Sequence, residues 1–143
     1  MAMLRILFFA LLMAAPAEAN CQIKGGDAVE ATFEKCGSAK RVTCIVDGDT
    51  FWHNGTKVRI ADVNTPETSR PSCPRERELG NRATARMQTL LNDGPFQLVR
   101  ADRDEDRYGR KLRVAMRGGK SLGGILVREG LAESWTGRRK NWC

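Results

Sequence analysis

Three short polar segments carry more functional groups than a small stable fold requires. The first is Asp47-Gly48-Asp49-Thr50, two carboxylates around a glycine. Such a turn can aim oxygen at a hard cation, although an isolated Asp-Gly turn is commonplace. The second runs from Val58 to Glu67 as Val-Arg-Ile-Ala-Asp-Val-Asn-Thr-Pro-Glu. Arg59 alternates with Val58 and Ile60, so its guanidinium leaves the apolar face of a strand. Pro66 holds Thr65 extended and presents the Thr65 carbonyl, with the Glu67 carboxylate at the turn that follows. The third segment, Asp102 to Arg110, ends Asp106-Arg107-Tyr108-Gly109-Arg110; its plainest reading is a solvated hairpin loop. An arginine, a group of oxygen ligands and a carboxylate free to take a proton are the parts that phosphodiester hydrolysis requires.

These segments need a scaffold, and the hydrophobic pattern supplies one. Strands are expected over Arg41 to Val46, Thr50 to His53 and Lys57 to Val63, with Asn54-Gly55 as a hairpin turn. His53 beside that turn reads as a surface residue rather than a catalytic base. Leu79, Ala83, Met87, Leu90 and Leu91 form one stripe of a helix from Glu76 to Leu91, which Asn92-Asp93-Gly94-Pro95 ends. Further strands fit Phe96 to Arg100 and Lys111 to Met116, the latter with Leu112, Val114 and Met116 alternating against Lys111 and Arg113. A short helix from Leu122 to Glu129 stops at Gly130. Three strands, a helix, two strands and a helix suit a small Greek-key barrel of the oligonucleotide-binding type, and other α+β folds as well.

Arg5, the apolar run Ile6 to Ala15 and Ala17-Glu18-Ala19 have the form of a cleaved export signal over 1–19. Residues 20–40 are polar and weakly patterned, and read as an arm ahead of a domain over 41–143. The net charge of +7 is unchanged by loss of Arg5 and Glu18, and favours a polyanionic partner such as nucleic acid. Cys21, Cys36, Cys44, Cys73 and Cys143 form no Cys-x-x-Cys pair, and a single histidine is too few for a zinc cluster. In an oxidising compartment, periplasmic or extracellular, disulfides are the default. Spacing does not derive their connectivity; Cys36 with Cys44 and Cys73 with Cys143 is the arrangement we expect, the second tying the tail to the body. No segment reads as a membrane anchor, and a monomer is expected.

The order Asp-Gly-Asp-Thr, then Arg followed by Thr-Pro-Glu, then Asp-Arg-Tyr-Gly-Arg resembles the staphylococcal nuclease (thermonuclease) family. The resemblance runs from about Arg41 to Ala132 and includes Leu126-Val127-Arg128-Glu129-Gly130-Leu131-Ala132. It implies an α+β domain dominated by a five-stranded Greek-key β-barrel (an SNase-like OB-fold) with two or three helices. It also implies a calcium-dependent nuclease acting on DNA or RNA and leaving 3′-phosphate products. By that resemblance Asp49, Asn64 and the Thr65 carbonyl would bind Ca2+, with Asp47 in a supporting position. Glu67 would be the general base, Arg59 and Arg110 would grip the scissile phosphate, and Arg107 and Tyr108 would hold a terminal phosphate or flanking nucleotide.

The chain departs from the family at Asn64, where an aspartate usually helps to bind calcium. Asparagine keeps a carbonyl oxygen and loses a charge, so a weakened nucleic-acid-binding module is the alternative expectation. Asp62 could compensate, since strict alternation puts it on the face of Asn64. The same alternation puts Arg59 on the opposite face, so both can line one site only if the strand bends between them. The tail is short for the family, and Trp135, Arg138 and Arg139 occupy the region where an aromatic often meets substrate. Trp135 could stack on a base, or be a core or rim tryptophan.

Overall fold

Asn54 and Gly55 both adopt positive φ, 48° and 77°, which is the backbone a two-residue hairpin demands. They join β4 (Thr50–His53) to β5 (Thr56–Ile60) with His53 opposite Thr56 and Thr50 opposite Arg59. The computed structural model describes residues 26–143; the expected export signal and Cys21 lie outside the described residues. Before this hairpin come β1 (Gly26–Val29), β2 (Glu34–Lys35) and β3 (Cys44–Asp47). After it come β6 (Val63–Asn64), helix α1 (Pro74–Asn92), β7 (Phe96–Glu105) and β8 (Lys111–Arg117). The chain then forms β9 (Lys120–Ser121), helix α2 (Leu122–Arg128) and β10 (Glu133–Ser134).

The main sheet is ordered β1-β7-β8-β5-β4-β3-β2, with β9 paired to β8. Its centre is the five-strand path β7-β8-β5-β4-β3, and β5 lies parallel to β8 while its other central pairs are antiparallel. A parallel pair needs a long crossover, which α1 and β7 supply. The result is a strongly curled mixed sheet with two helices, an SNase-like OB-fold of the α+β class. β10 pairs with β6 in a separate ladder, Glu133 opposite Asn64.

The segment read as a polar arm is part of this fold. β1 extends the sheet at β7, and β2 runs parallel to β3. Val29 and Phe33 are buried in the core with Ile45, Phe51, Met87 and Phe96. The Phe33 ring meets the edge of Phe51 with centroids 5.3 Å apart. Its backbone is bound by the end of α1, Asn92 accepting from the Phe33 N–H at 2.8 Å and Gln88 donating to its carbonyl at 2.9 Å. Of residues 26–40 the structure buries Val29 and Phe33, too few apolar positions to show a periodicity in the sequence. The Cys36–Cys44 disulfide then closes the connection between β2 and β3.

On β8 the fully buried residue is Ala115, whereas Leu112, Val114 and Met116 are half-covered. The apolar alternation therefore marked the less buried face. The inside of a small curled sheet has room for short side chains at its centre, and Ala115 fills that position. Helix α1 starts two residues earlier than expected because Pro74 fits the first helical position and Cys73 caps it.

Truncating Phe33 to alanine is expected to cost about 3–5 kcal/mol, the usual range for a fully buried phenylalanine. Denaturant unfolding with both disulfides intact measures this. An unmoved midpoint would separate the N-terminal segment from the cooperative unit.

Candidate active site

The pairing of β5 with β8 decides which charged side chains meet. Arg59 on β5 lies beside Leu112 on β8, and parallel partners share a face. Arg110 is two residues before Leu112, so the same face carries both guanidiniums. Arg59, Leu112 and Arg110 line one open cleft of about 540 Å³. Ala101, Asp102 and Arg103 reach the same cleft because the β7–β8 register slips between Arg100 and Glu105, pushing those residues out of the ladder. Arg107 and Tyr108 stand at its edge with Trp135 and Arg139, and Tyr108 is 68% exposed.

Asp106 shapes the turn that carries Arg110. Its Oδ1 accepts from the N–H groups of Tyr108 and Arg110 at 2.9 and 3.0 Å, and its Oδ2 takes the Arg110 Nε at 2.6 Å. Burial alone would raise this carboxyl, but the Arg110 side chain and both backbone donors outweigh it and hold the group below the usual aspartate range. Arg110 is thus fixed through Nε, which leaves its two Nη groups without a protein hydrogen bond among the described residues. Arg107 donates to the Tyr108 hydroxyl at 2.6 Å and stacks over its ring.

Asp49 ties the first two polar segments together. It is buried, and its Oδ2 accepts from the Thr65 N–H at 3.0 Å and pairs with Arg59 Nη2 at 3.2 Å. Its Oδ1 takes the Thr50 hydroxyl at 3.0 Å. Arg59 also donates to the Ile60 and Val63 carbonyls. The bend needed between Arg59 and Asn64 is present: β5 ends at Ile60, a turn follows at Ala61-Asp62, and β6 leaves to pair with β10. Gly48 lets the acidic turn press against Thr65, since a Cβ there would lie 2.8 Å from Thr65 Cγ2.

Two residues of α1 that the apolar stripe passed over position Glu67. Glu76 is buried and accepts from the backbone N–H groups of Glu67 and Ser72, at 3.3 and 2.6 Å. The Ser72 bond, foremost, keeps the Glu76 carboxyl below its usual range despite burial. Gly80 lies under the same loop, where a Cβ would come within 2.7 Å of the Pro66 carbonyl oxygen. The signal for both was a polar and a small residue on an otherwise apolar helix face. The Glu67 carboxylate itself is held by Arg139 at 2.5 Å. Asp47, Asp49, Thr65 and Glu67 are not walls of the cleft; Arg59 and Arg139 connect two of them to it.

A hard cation suits the oxygen donors here. Among the described residues no three His, Cys, Asp or Glu side chains converge into a cage, so an ion would depend on carbonyl oxygen and water besides Asp49. Burial, and next the negative charge of Asp49, push the Asp47 carboxyl up to about 7, with Glu67 adding to the effect. That excess of negative charge is what a divalent ion would offset. Asn64 is buried and lines the cleft, and its Nδ2 donates to Glu133 Oε1 at 3.0 Å, which leaves Oδ1 for other partners. Glu133 therefore places a carboxylate beside the asparagine. Asp62 does not compensate: its Oδ2 accepts from Ser121, the cap of α2, at 2.5 Å. The turn at Ala61-Asp62 ends the strand alternation on which that expectation relied.

The raised Asp47 has a definite sign in stability. The folded protein keeps a proton that the unfolded chain releases, so this contribution is full below the ordinary value of 3.8 and is lost as pH rises through about 7. Glu76 acts oppositely and only in acid, losing its contribution as pH falls through its depressed value. In chelator, the stability contributed by this group should fall between about pH 4 and 7, and Asp47→Asn should flatten that slope in thermal melts. Gly80→Ala tests the loop: helix propensity would add about 1 kcal/mol, but overpacking costs about 1–3 kcal/mol. Net destabilisation with a displaced Glu67 is expected by unfolding and by structure determination.

The model for the family described as staphylococcal nuclease homologue matches residues 57–141, more than half of the chain. Endonuclease YncB of Bacillus subtilis is 43% identical over 94 residues, which cover 61% of this chain and 43% of that protein. The SPbeta prophage-derived endonuclease YokF of the same organism is 42% identical over 94 residues, 61% of this chain and 31% of that protein. The thermonuclease of Staphylococcus hyicus is 31% identical over 98 residues, 66% of this chain and 57% of that protein. The chain thus spans less than half the length of the two Bacillus proteins. Its matched residues contain Arg59 and Arg110, which line the cleft, and Glu67, which Arg139 joins to it, and this chain belongs to the staphylococcal nuclease family.

Proposed function

We propose that this chain is an exported, calcium-dependent nuclease that hydrolyses phosphodiester bonds of DNA or RNA. The observation that carries this reading is the meeting of Arg59 and Arg110 in one cleft, with Glu67 joined to it through Arg139. The names of the relatives, two endonucleases and a thermonuclease, support the same reading. The apolar leader and the paired cysteines support export. Among the described residues no helix is long and apolar enough to cross a membrane.

Asp49, Asn64 and the Thr65 carbonyl would hold Ca2+, with Asp47 behind Asp49. The ion, when bound, supplies positive charge to the phosphate oxygens. Arg59 and Arg110 bind the scissile phosphate and neutralise charge as phosphorus becomes five-coordinate. Their planar forks match two oxygens at once, which lysine cannot do. Glu67 takes the proton from the attacking water, the phosphorus–oxygen bond on the 5′ side breaks in line, and the product keeps a 3′-phosphate. Tyr108 and Arg107 hold a neighbouring phosphate or nucleotide at the rim.

Release of acid-soluble nucleotides from DNA and RNA, with calcium and with a chelator, tests this. Chelator-insensitive release, or none from folded protein, would contradict it; salt-dependent binding without cleavage would indicate a binding module instead. Glu67→Gln should lower turnover about 10²–10⁴-fold and leave binding intact. Asn64→Asp would face Glu133, so it should destabilise the protein in chelator and tighten calcium binding, both readable by calcium titration of thermal stability.

A further inference from the structure

The last eleven residues cross the cleft and are pinned at both ends. On one side β10 pairs with β6, the Trp135 N–H donates to the Asp62 carbonyl at 2.9 Å, and the Lys140 N–H donates to Glu133 at 2.7 Å. On the other, Trp142 is buried and Cys143 is bonded to Cys73. Cys73 is the cap of α1, one turn from the Glu76 that holds the Glu67 loop. Between these anchors lies Arg139, whose side chain lines the cleft and remains 65% exposed while touching Glu67. A guanidinium has five donors, and the Glu67 contact uses one nitrogen.

We propose that Arg139 is a third phosphate-binding cation, gripping the phosphate next to the scissile one, and that the Cys73–Cys143 disulfide acts as a latch holding it over the cleft. The inference rests on the nuclease reading. A free tail would lose much of this: an unpinned arginine must be ordered on each binding event, whereas a latched one is already in place. The same latch keeps Arg139 against Glu67 before substrate arrives, so the exposed guanidinium and the carboxylate stabilise each other's placement.

Binding of a labelled single-stranded oligonucleotide, followed by fluorescence anisotropy in chelator at several salt concentrations, tests the proposal without cleavage. Arg139→Ala should weaken binding about tenfold and reduce the steepness of the salt dependence by about 0.7, the value for one phosphate contact on a single strand. Arg139→Lys should recover part of the loss. The loss must persist in a Glu67→Gln background; if it vanishes there, Arg139 only screens Glu67 and the proposal fails. The double variant Cys73→Ser, Cys143→Ser keeps a capping side chain on α1, and should show the same loss, with Arg139→Ala adding little to it. In calcium, Arg139→Ala should raise KM more than it lowers kcat. Unchanged binding, or faster turnover, would overturn the proposal while leaving the nuclease intact. Absence of both binding and cleavage in the wild type would remove the nuclease reading and this inference together.

Discussion

The buried Asp49 carboxylate is the constraint on which the site depends. A charge taken out of water must find partners or lose its ionisation. Asp49 finds three, each from a different place: Thr50 beside it, Arg59 across the hairpin and the Thr65 backbone beyond the bend. Satisfying one carboxylate therefore fixes three segments at once. The acidic turn cannot shift without stranding Arg59, and Arg59 cannot move without freeing the Val63 carbonyl that helps to define the bend. The small turn residue Gly48 makes this closeness possible, because any side chain there would collide with Thr65.

A second carboxylate repeats the device on the far side of the loop. Glu76 points back from α1 to the N–H groups of Glu67 and Ser72, and Gly80 lets that loop lie on the helix. Asp49 holds the start of the 65–72 stretch and Glu76 holds the rest, so Glu67 is presented from a segment bound at both ends. Asp106 does the same for Arg110. Glu76 and Asp106 are acids that only orient a group able to do chemistry, which is the condition for geometry held to a fraction of an ångström.

Much of this was legible in the sequence because turn chemistry and motif order are local. Asn54-Gly55 announced its hairpin, and the order of Asp49, Arg59 and Thr65 named three residues that do come into contact. What was not legible was non-local. The contribution of Phe33 depends on aromatic partners on β4 and β7, far along the chain. The slip in β7 that turns Ala101 to Arg103 into cleft wall follows from pairing, not from composition. Asp62 failed as a substitute for the missing charge because a turn, invisible to strict alternation, sent it to Ser121. Glu133 was overlooked because its neighbour Asn64 is 69 residues away.

The charge of the chain acquires a location from the same geometry. Five arginines, at 59, 103, 107, 110 and 139, line the cleft, and among the described residues no lysine does. Two of the five are paired with Asp49 and Asp106, and a third with Glu67. Such pairing lowers the mutual repulsion that would otherwise open a cluster of like charges. Lysine would supply the same net charge, but each ammonium is a strongly hydrated point that one carboxylate largely neutralises. A guanidinium can give one edge to a carboxylate and keep the other for phosphate. Arginine thus lets several like charges gather in one folded cleft, each pair leaving part of its guanidinium edge open.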